Sequence, residues 1–314
     1  MKKSLYADIS LLLVALIWGV SFVMVQNAIS HLEPFSFNAL RFLTAAIFLI
    51  LWQLFKNQHI KSLYTKDLLL AGIKIGFWLF LGYALQTIGL LYTSPAKAGF
   101  ITGLSIVIVP ILSLILMKHM PSINTVIGVI AATAGLYMMT MLGESSFTNS
   151  DMLILIASFS FAMHVVTTGA FAKNHPALPL TIVQLSVVAL LSLVCALIVE
   201  KPAHNFSSAV LFRPEVWLAL LITSIFATAA AFLVQTYSQK FTSSARVALI
   251  LATEPVFAAI TSYLWIHEIL SPYAVTGCIL IFLGIILSEL PIKKKNVETA
   301  VLAGNEQKRN GKNI

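Results

Sequence analysis

Charge is scarce in this chain. Only 10% of its 314 residues are Asp, Glu, Lys or Arg, against about 25% in a soluble domain. Cysteine is scarcer still: Cys195 and Cys278 both lie inside apolar runs, which argues against a disulfide framework. There is no Walker A sequence, so ATP hydrolysis by the chain itself is not expected. HExxH and GxSxG are missing, and His, Cys and carboxylates form no ligand-spaced cluster. Neither a metal nor any other cofactor is therefore expected. Two lysines precede the first apolar run, but no small-residue cleavage site follows it, so that run reads as a retained span rather than a removed signal.

Apolar residues are abundant. The chain is 59% hydrophobic, with a mean hydropathy of +0.92. Ten apolar stretches cover residues 7–28, 35–55, 68–91, 96–117, 122–142, 152–172, 178–199, 215–239, 244–266 and 271–290. Each approaches the roughly 20 residues that a helix needs to cross a hydrocarbon core. In lipid every backbone polar group must be satisfied internally, which leaves only helices and closed barrels. Barrels need short alternating segments, and these runs are continuous. The fold class is an all-α polytopic membrane protein with ten transmembrane helices.

The net charge of +8 is a topology signal and not a nucleic-acid footprint. With the N-terminus inside, 14 Lys and Arg fall in cytoplasmic segments and 2, Lys201 and Arg213, fall outside. That bias orients both termini to the cytoplasm. The lysine-rich polar tail, 291–314, is expected to be disordered.

A shift of 149 residues superposes 86–135 on 235–284 without a gap, and 14 of the 50 positions are identical. The polar and glycine matches carry the weight: Gln86/Gln235, Thr87/Thr236, Thr93/Thr242, Ser94/Ser243, Gly128/Gly277 and Gly135/Gly284. The chain therefore reads as two five-helix repeats, 7–142 and 152–290. An odd number of spans places the second copy upside down, and inverted repeats are common in secondary transporters.

Several stretches resemble the EamA-type ten-helix members of the drug/metabolite transporter superfamily. They are IWGVSF around Trp18 and Ser21, FNALRF with Asn38 and Arg41, TSPAKAGFITGLSIVIVP, and ATEPVFAAITSYLWIHE through Glu268. The resemblance spans roughly 7–290. It implies a central cavity between the halves and export of small metabolites, often amino acids, or of drugs. One departure is Lys118-His119, where the family often has an acidic residue.

Glu254 is the acidic residue deepest within a span. It either binds a substrate amine or carries a coupling proton, or it pairs with a neighbour and joins two helices. Pro255 and Pro110 are expected to kink their helices. Arg41 can contact a substrate carboxylate or snorkel to the headgroups. Lys97 and Arg246 begin equivalent spans and are placed at opposite cavity mouths. Trp18 and Ser21 share a face, as do Tyr83 and Gln86, with Trp78 nearby. His164 and Gln235 complete the polar groups expected to face the bundle. The expected function is a secondary transporter of the plasma membrane, exporting small metabolites by alternating access, with the proton as candidate coupling ion. The alternatives are a drug or organic-cation exporter, an intramembrane enzyme using Glu254 and His164, and a membrane protein that transports nothing. The oligomeric state is not legible.

Overall fold

In the computed structural model the described residues are 2–55, 63–93, 95–118, 120–141, 148–266 and 271–289. The tail, His119 and Glu268 lie outside them, as does the side chain of Lys97. No strand occurs among the described residues. The helices are α1 (Lys2–Ile29), α2 (Pro34–Phe55), α3 (Lys66–Gly89), α4 (Pro95–Gly103), α5 (Ser105–Met117), α6 (Ile123–Met141), α7 (Asn149–Ala172) and α8 (Ala177–Val199). Two short helices follow, α9 (Pro202–Asn205) and α10 (Ser208–Leu211). Then come α11 (Pro214–Ser224), a π-helical turn (Ile225–Ala230), α12 (Ala231–Ser238), α13 (Ser244–Leu251), α14 (Glu254–Ile266) and α15 (Pro272–Glu289).

Seven helices are long and apolar enough to cross a membrane, and three shorter apolar ones cover Ile101–Met117, Ile123–Met138 and Pro272–Ser288. Local chemistry sets where they begin. Pro34, Pro95, Pro214 and Pro272 each open a helix, where the missing N–H costs nothing. Thr65 caps α3 by accepting from Leu68 N at 3.3 Å. The carboxylate of Asp151, in the first turn of α7, accepts from Thr148 N at 2.7 Å, a capping-box contact.

Burial follows the membrane rule of polar residues inward and apolar residues outward. α2 exposes Leu43, Ile47, Leu51 and Leu54 and buries Asn38, Arg41, Phe42, Ala45 and Leu49. α8 packs against both α2 and α3, and α3 also lies along α7. α1 touches α11, α12, α13 and α14. α6 and α15 pair along their length through glycines. A Cβ at Gly284 would stand 2.5 Å from the Gly128 oxygen, and one at Gly135 would stand 2.5 Å from the Gly277 oxygen. Position 128 meets 284 and 135 meets 277, so the two helices run antiparallel.

Two spans are broken. One break lies at Leu104, between α4 and α5; the other at Ala252–Thr253, between α13 and α14. The 149-residue shift carries one break onto the other, and also carries the first residues of α4, α5 and α6 onto those of α13, α14 and α15. The sequence places the bends at prolines. Pro255 does sit in the first turn after its break, but Pro110 lies well inside α5, and the first break precedes it.

Candidate functional site

The site is organised around one backbone carbonyl. A π turn has i→i+5 bonds and is often found at functional sites. Here, within Ile225–Ala230, it presents the carbonyl of Ala227 to two donors from other helices. Trp18 Nε1 donates to Ala227 O at 2.7 Å, and an Arg41 terminal nitrogen donates to the same oxygen at 3.3 Å. Arg41 Nε donates to Thr228 Oγ1 at 2.6 Å. The guanidinium also stands 5.0 Å from the Tyr83 ring centroid and 5.6 Å from that of Phe42, a cation–π arrangement. Arg41 is only 3% exposed. It does not snorkel to the headgroups, because the π turn supplies the acceptors that it would otherwise seek in water.

Beside this joint is a cavity of about 100 Å³, room for several waters. Eight of the ten binding residues expected from the sequence line it: Trp18, Ser21, Arg41, Tyr83, Gln86, His164, Gln235 and Glu254. Both helix breaks open onto it, through Gly103 and Ser105 on one side and Ala252 and Glu254 on the other. Glu254 heads α14, where the helix dipole favours a negative charge and offsets part of the cost of burying it. Arg41 and Glu254 both line this space.

The remaining polar groups are held in chains. Gln86 Nε2 donates to Thr102 Oγ1 at 3.0 Å. His164 Nε2 and Gln184 Oε1 are 3.0 Å apart, and Gln184 Nε2 donates to Thr236 Oγ1 at 3.0 Å. The edge of the His164 ring meets Phe232 at 5.6 Å. Ser21 Oγ donates back to Trp18 O at 2.9 Å.

Two expected residues are elsewhere. Asn38 lies behind the wall, where Nδ2 donates to Thr87 Oγ1 at 3.1 Å. Trp78 packs edge-on against Phe77 and Phe159, away from the cavity. Arg246 lies at a second opening, bonded to Asp8 of α1. Sequence reasoning missed Phe161, Phe232 and Gln184. The repeat signals Phe232, which is the mate of Tyr83 under the 149-residue shift.

A buried cavity in an apolar helical bundle, lined by a guanidinium and a carboxyl group and reached by two broken helices, is the arrangement of a carrier. Residues 5–141 and 148–290 match the EamA-like transporter family. The chain belongs to that family. It is 35% identical over 290 residues to an uncharacterized transporter of Archaeoglobus fulgidus, covering 92% of this chain and 88% of that one. To the uncharacterized transporter YyaM of Bacillus subtilis it is 25% identical over 292 residues, covering 90% and 93%. A solved crystal structure superposes with a TM-score of 0.74 at 19% identity, over 90% of this chain and 97% of that one, a likeness of fold. The relatives are named as transporters, and the chain is a multi-pass membrane transporter rather than an enzyme.

In this EamA-like transporter the loop between α1 and α2 is tied to the loop after α8. Glu200 accepts from Phe35 N at 2.6 Å and Ser36 N at 2.8 Å, at the start of α2. Glu33 accepts from Lys201 N at 2.9 Å and Asn205 Nδ2 at 2.6 Å. Those bonds, the one from Lys201 N first, hold the Glu33 carboxyl below its usual range. Toward the N-terminus of α1 the cavity gives way to an apolar layer and then to a vestibule. Along α5 the order is Ser105 at the cavity, Val109 in the layer and Ser113 at the vestibule. Along α7 it is His164, Val166 and Gly169.

Proposed function

We propose that the chain is a secondary transporter that exports small metabolites, amino acids or related compounds, across the plasma membrane by alternating access. In this reading ten spanning helices form two inverted five-helix halves, 7–142 and 152–290, with both termini cytoplasmic. The observation that carries it is the antiparallel contact of Gly128 with Gly284 and of Gly135 with Gly277. Gly128 and Gly277 are repeat mates, as are Gly135 and Gly284, so equivalent helices meet head to tail about a local two-fold. A carrier built this way has two nearly equivalent states, one open to each side.

The substrate site is the central cavity. Glu254 binds the amine of a substrate or carries a coupling proton, and Arg41 of α2, bonded to the π turn, provides a positive charge. Trp18, Tyr83, Gln86, His164 and Gln235 complete the wall. The buried guanidinium favours a zwitterion over the purely cationic cargo of a drug exporter, because a like charge in a small cavity is repulsive.

The test is release of a panel of intracellular metabolites, amino acids first, from cells expressing the wild type or Glu254→Gln. Selective release abolished by the substitution supports the reading. Release unchanged by it leaves a transporter and assigns Glu254 to helix packing. For topology, a cysteine at Ser208 should react with an impermeant maleimide added to intact cells, and one at Ser62 only after permeabilisation. The reverse pattern overturns the orientation.

A further inference from the structure

The vestibule is larger than the central cavity, at about 360 Å³, and the reading above gives it no role. Lys173 and Arg246 line it, with no Asp or Glu among the described lining residues. Two helices of opposite halves begin at it. α6 starts behind Ser122, whose Oγ accepts from Thr125 N at 3.1 Å. α13 starts behind Ser243, whose Oγ accepts from Arg246 N at 3.3 Å. Helix N-termini carry partial positive charge and present N–H donors to anions. Ser113 and Thr242 also line the space. They are 5% and 9% exposed, and their hydroxyls have no hydrogen-bond partner among the described residues. Basic side chains, helix N-termini and spare O–H donors share one preference, an oxyanion.

We propose that the vestibule is a binding site for the carboxylate or phosphate group of a solute, separated from the central cavity by the Val109–Val166 layer. Only the origin of that solute, as cargo on its way to the cavity, rests on the transport reading. The Asp8 carboxylate of α1 already occupies Arg246, so an arriving acid competes with Asp8 for the guanidinium. Winning that competition removes the ion pair between α1 and α13, the helix that continues across its break into Glu254. The site thereby couples arrival of an acidic group to release of the helices around the cavity.

The test uses the full chain, purified in neutral detergent, with Cys195→Ala and Cys278→Ala and a reporter Met117→Cys in the vestibule wall. Two methanethiosulfonates of similar size are compared, the anionic sulfonatoethyl and the cationic trimethylammonioethyl reagents. Their rates are normalised to those on 2-mercaptoethanol. The expected result is a normalised preference for the anion of about fivefold or more, since a nearby positive charge attracts the anionic reagent and repels the cationic one. Lys173→Gln alone, and with Arg246→Gln, should bring the ratio down toward one. Inorganic phosphate or acetate should slow the anionic reagent at constant ionic strength. A ratio at or below one, or one that Lys173→Gln leaves unchanged, overturns the proposal. Protection seen only in vesicles containing phosphatidylglycerol assigns the site to a lipid headgroup and overturns the solute assignment. Labelling needs no flux, so it gives its answer even if the metabolite panel shows no release.

Discussion

Gly128 and Gly284 lie backbone to backbone, each where a Cβ would collide with the carbonyl oxygen of the other. The contact repeats at Gly135 and Gly277, the repeat mates of the other two in reverse order. Close backbone approach is how membrane helices gain packing when lipid offers no hydrophobic drive between them. The contact is self-complementary, because each helix supplies one glycine of both pairs.

Replacing Gly284 with Ala puts a methyl 2.5 Å from a carbonyl oxygen that belongs to a helix and cannot swing aside. The expected cost is about 1–3 kcal/mol, the range for overpacking. A thermal melt in detergent reads it as a lowered midpoint. Gly284→Ala and Gly135→Ala should behave alike, because the two positions are equivalent.

Arg41→Lys is expected to fail despite conserving charge. The guanidinium reaches Thr228 and Ala227 at once, and an ammonium cannot reproduce that fork. Charged hydrogen bonds are worth roughly 1.5–3 kcal/mol each, so the variant should melt lower by about 2 kcal/mol and lose flux. Trp18 still holds the Ala227 carbonyl, so the fold itself should survive.

Much of this was legible because membrane physics leaves few options. Runs of apolar residues give the helices, and the 149-residue repeat pairs Gln86 with Gln235 and Tyr83 with Phe232. A polar side chain in such a run is expected to turn inward, which is why eight of ten candidates reached the cavity. The π turn was not legible: Ile225–Ala230 is an ordinary apolar run, and its extra residue per turn leaves no mark in composition. Without that turn Arg41 has no visible acceptor, and the headgroups are the natural alternative. Nor did the sequence say that the first break falls at Leu104: Gly103 and Ser105 flank it, but the nearest following proline, Pro110, lies well inside the next helix. Asn38 and Trp78 went astray because periodicity fixes the side of a helix but not which neighbour lies there.

Glu254→Gln keeps the size and one acceptor oxygen, puts a donating NH2 in place of the other, and removes the titratable carboxyl. Flux should fall at least about tenfold, the equivalent of 1.4 kcal/mol, with expression and melting midpoint nearly unchanged. A variant that melts much lower while still transporting would place the carboxylate in helix packing.

The Glu33 staple should make stability depend on pH in one direction. Its carboxyl is held below the ordinary value of 4.5 by the Lys201 amide and by Asn205, so the folded state binds its proton less tightly than the unfolded chain does. The stabilisation is complete above that value and is lost as pH falls from there through the lower folded value. Melts of wild type and Glu33→Gln should therefore differ most at neutral pH and converge on acidification. Glu200→Gln acts on the same two loops, so in the Glu33→Gln background it should cost less than in the wild type, because neighbours in one network are not additive. A gap between wild type and Glu33→Gln that stays constant down to pH 3 would remove the carboxylate from the staple and leave the loops joined by Glu200 alone.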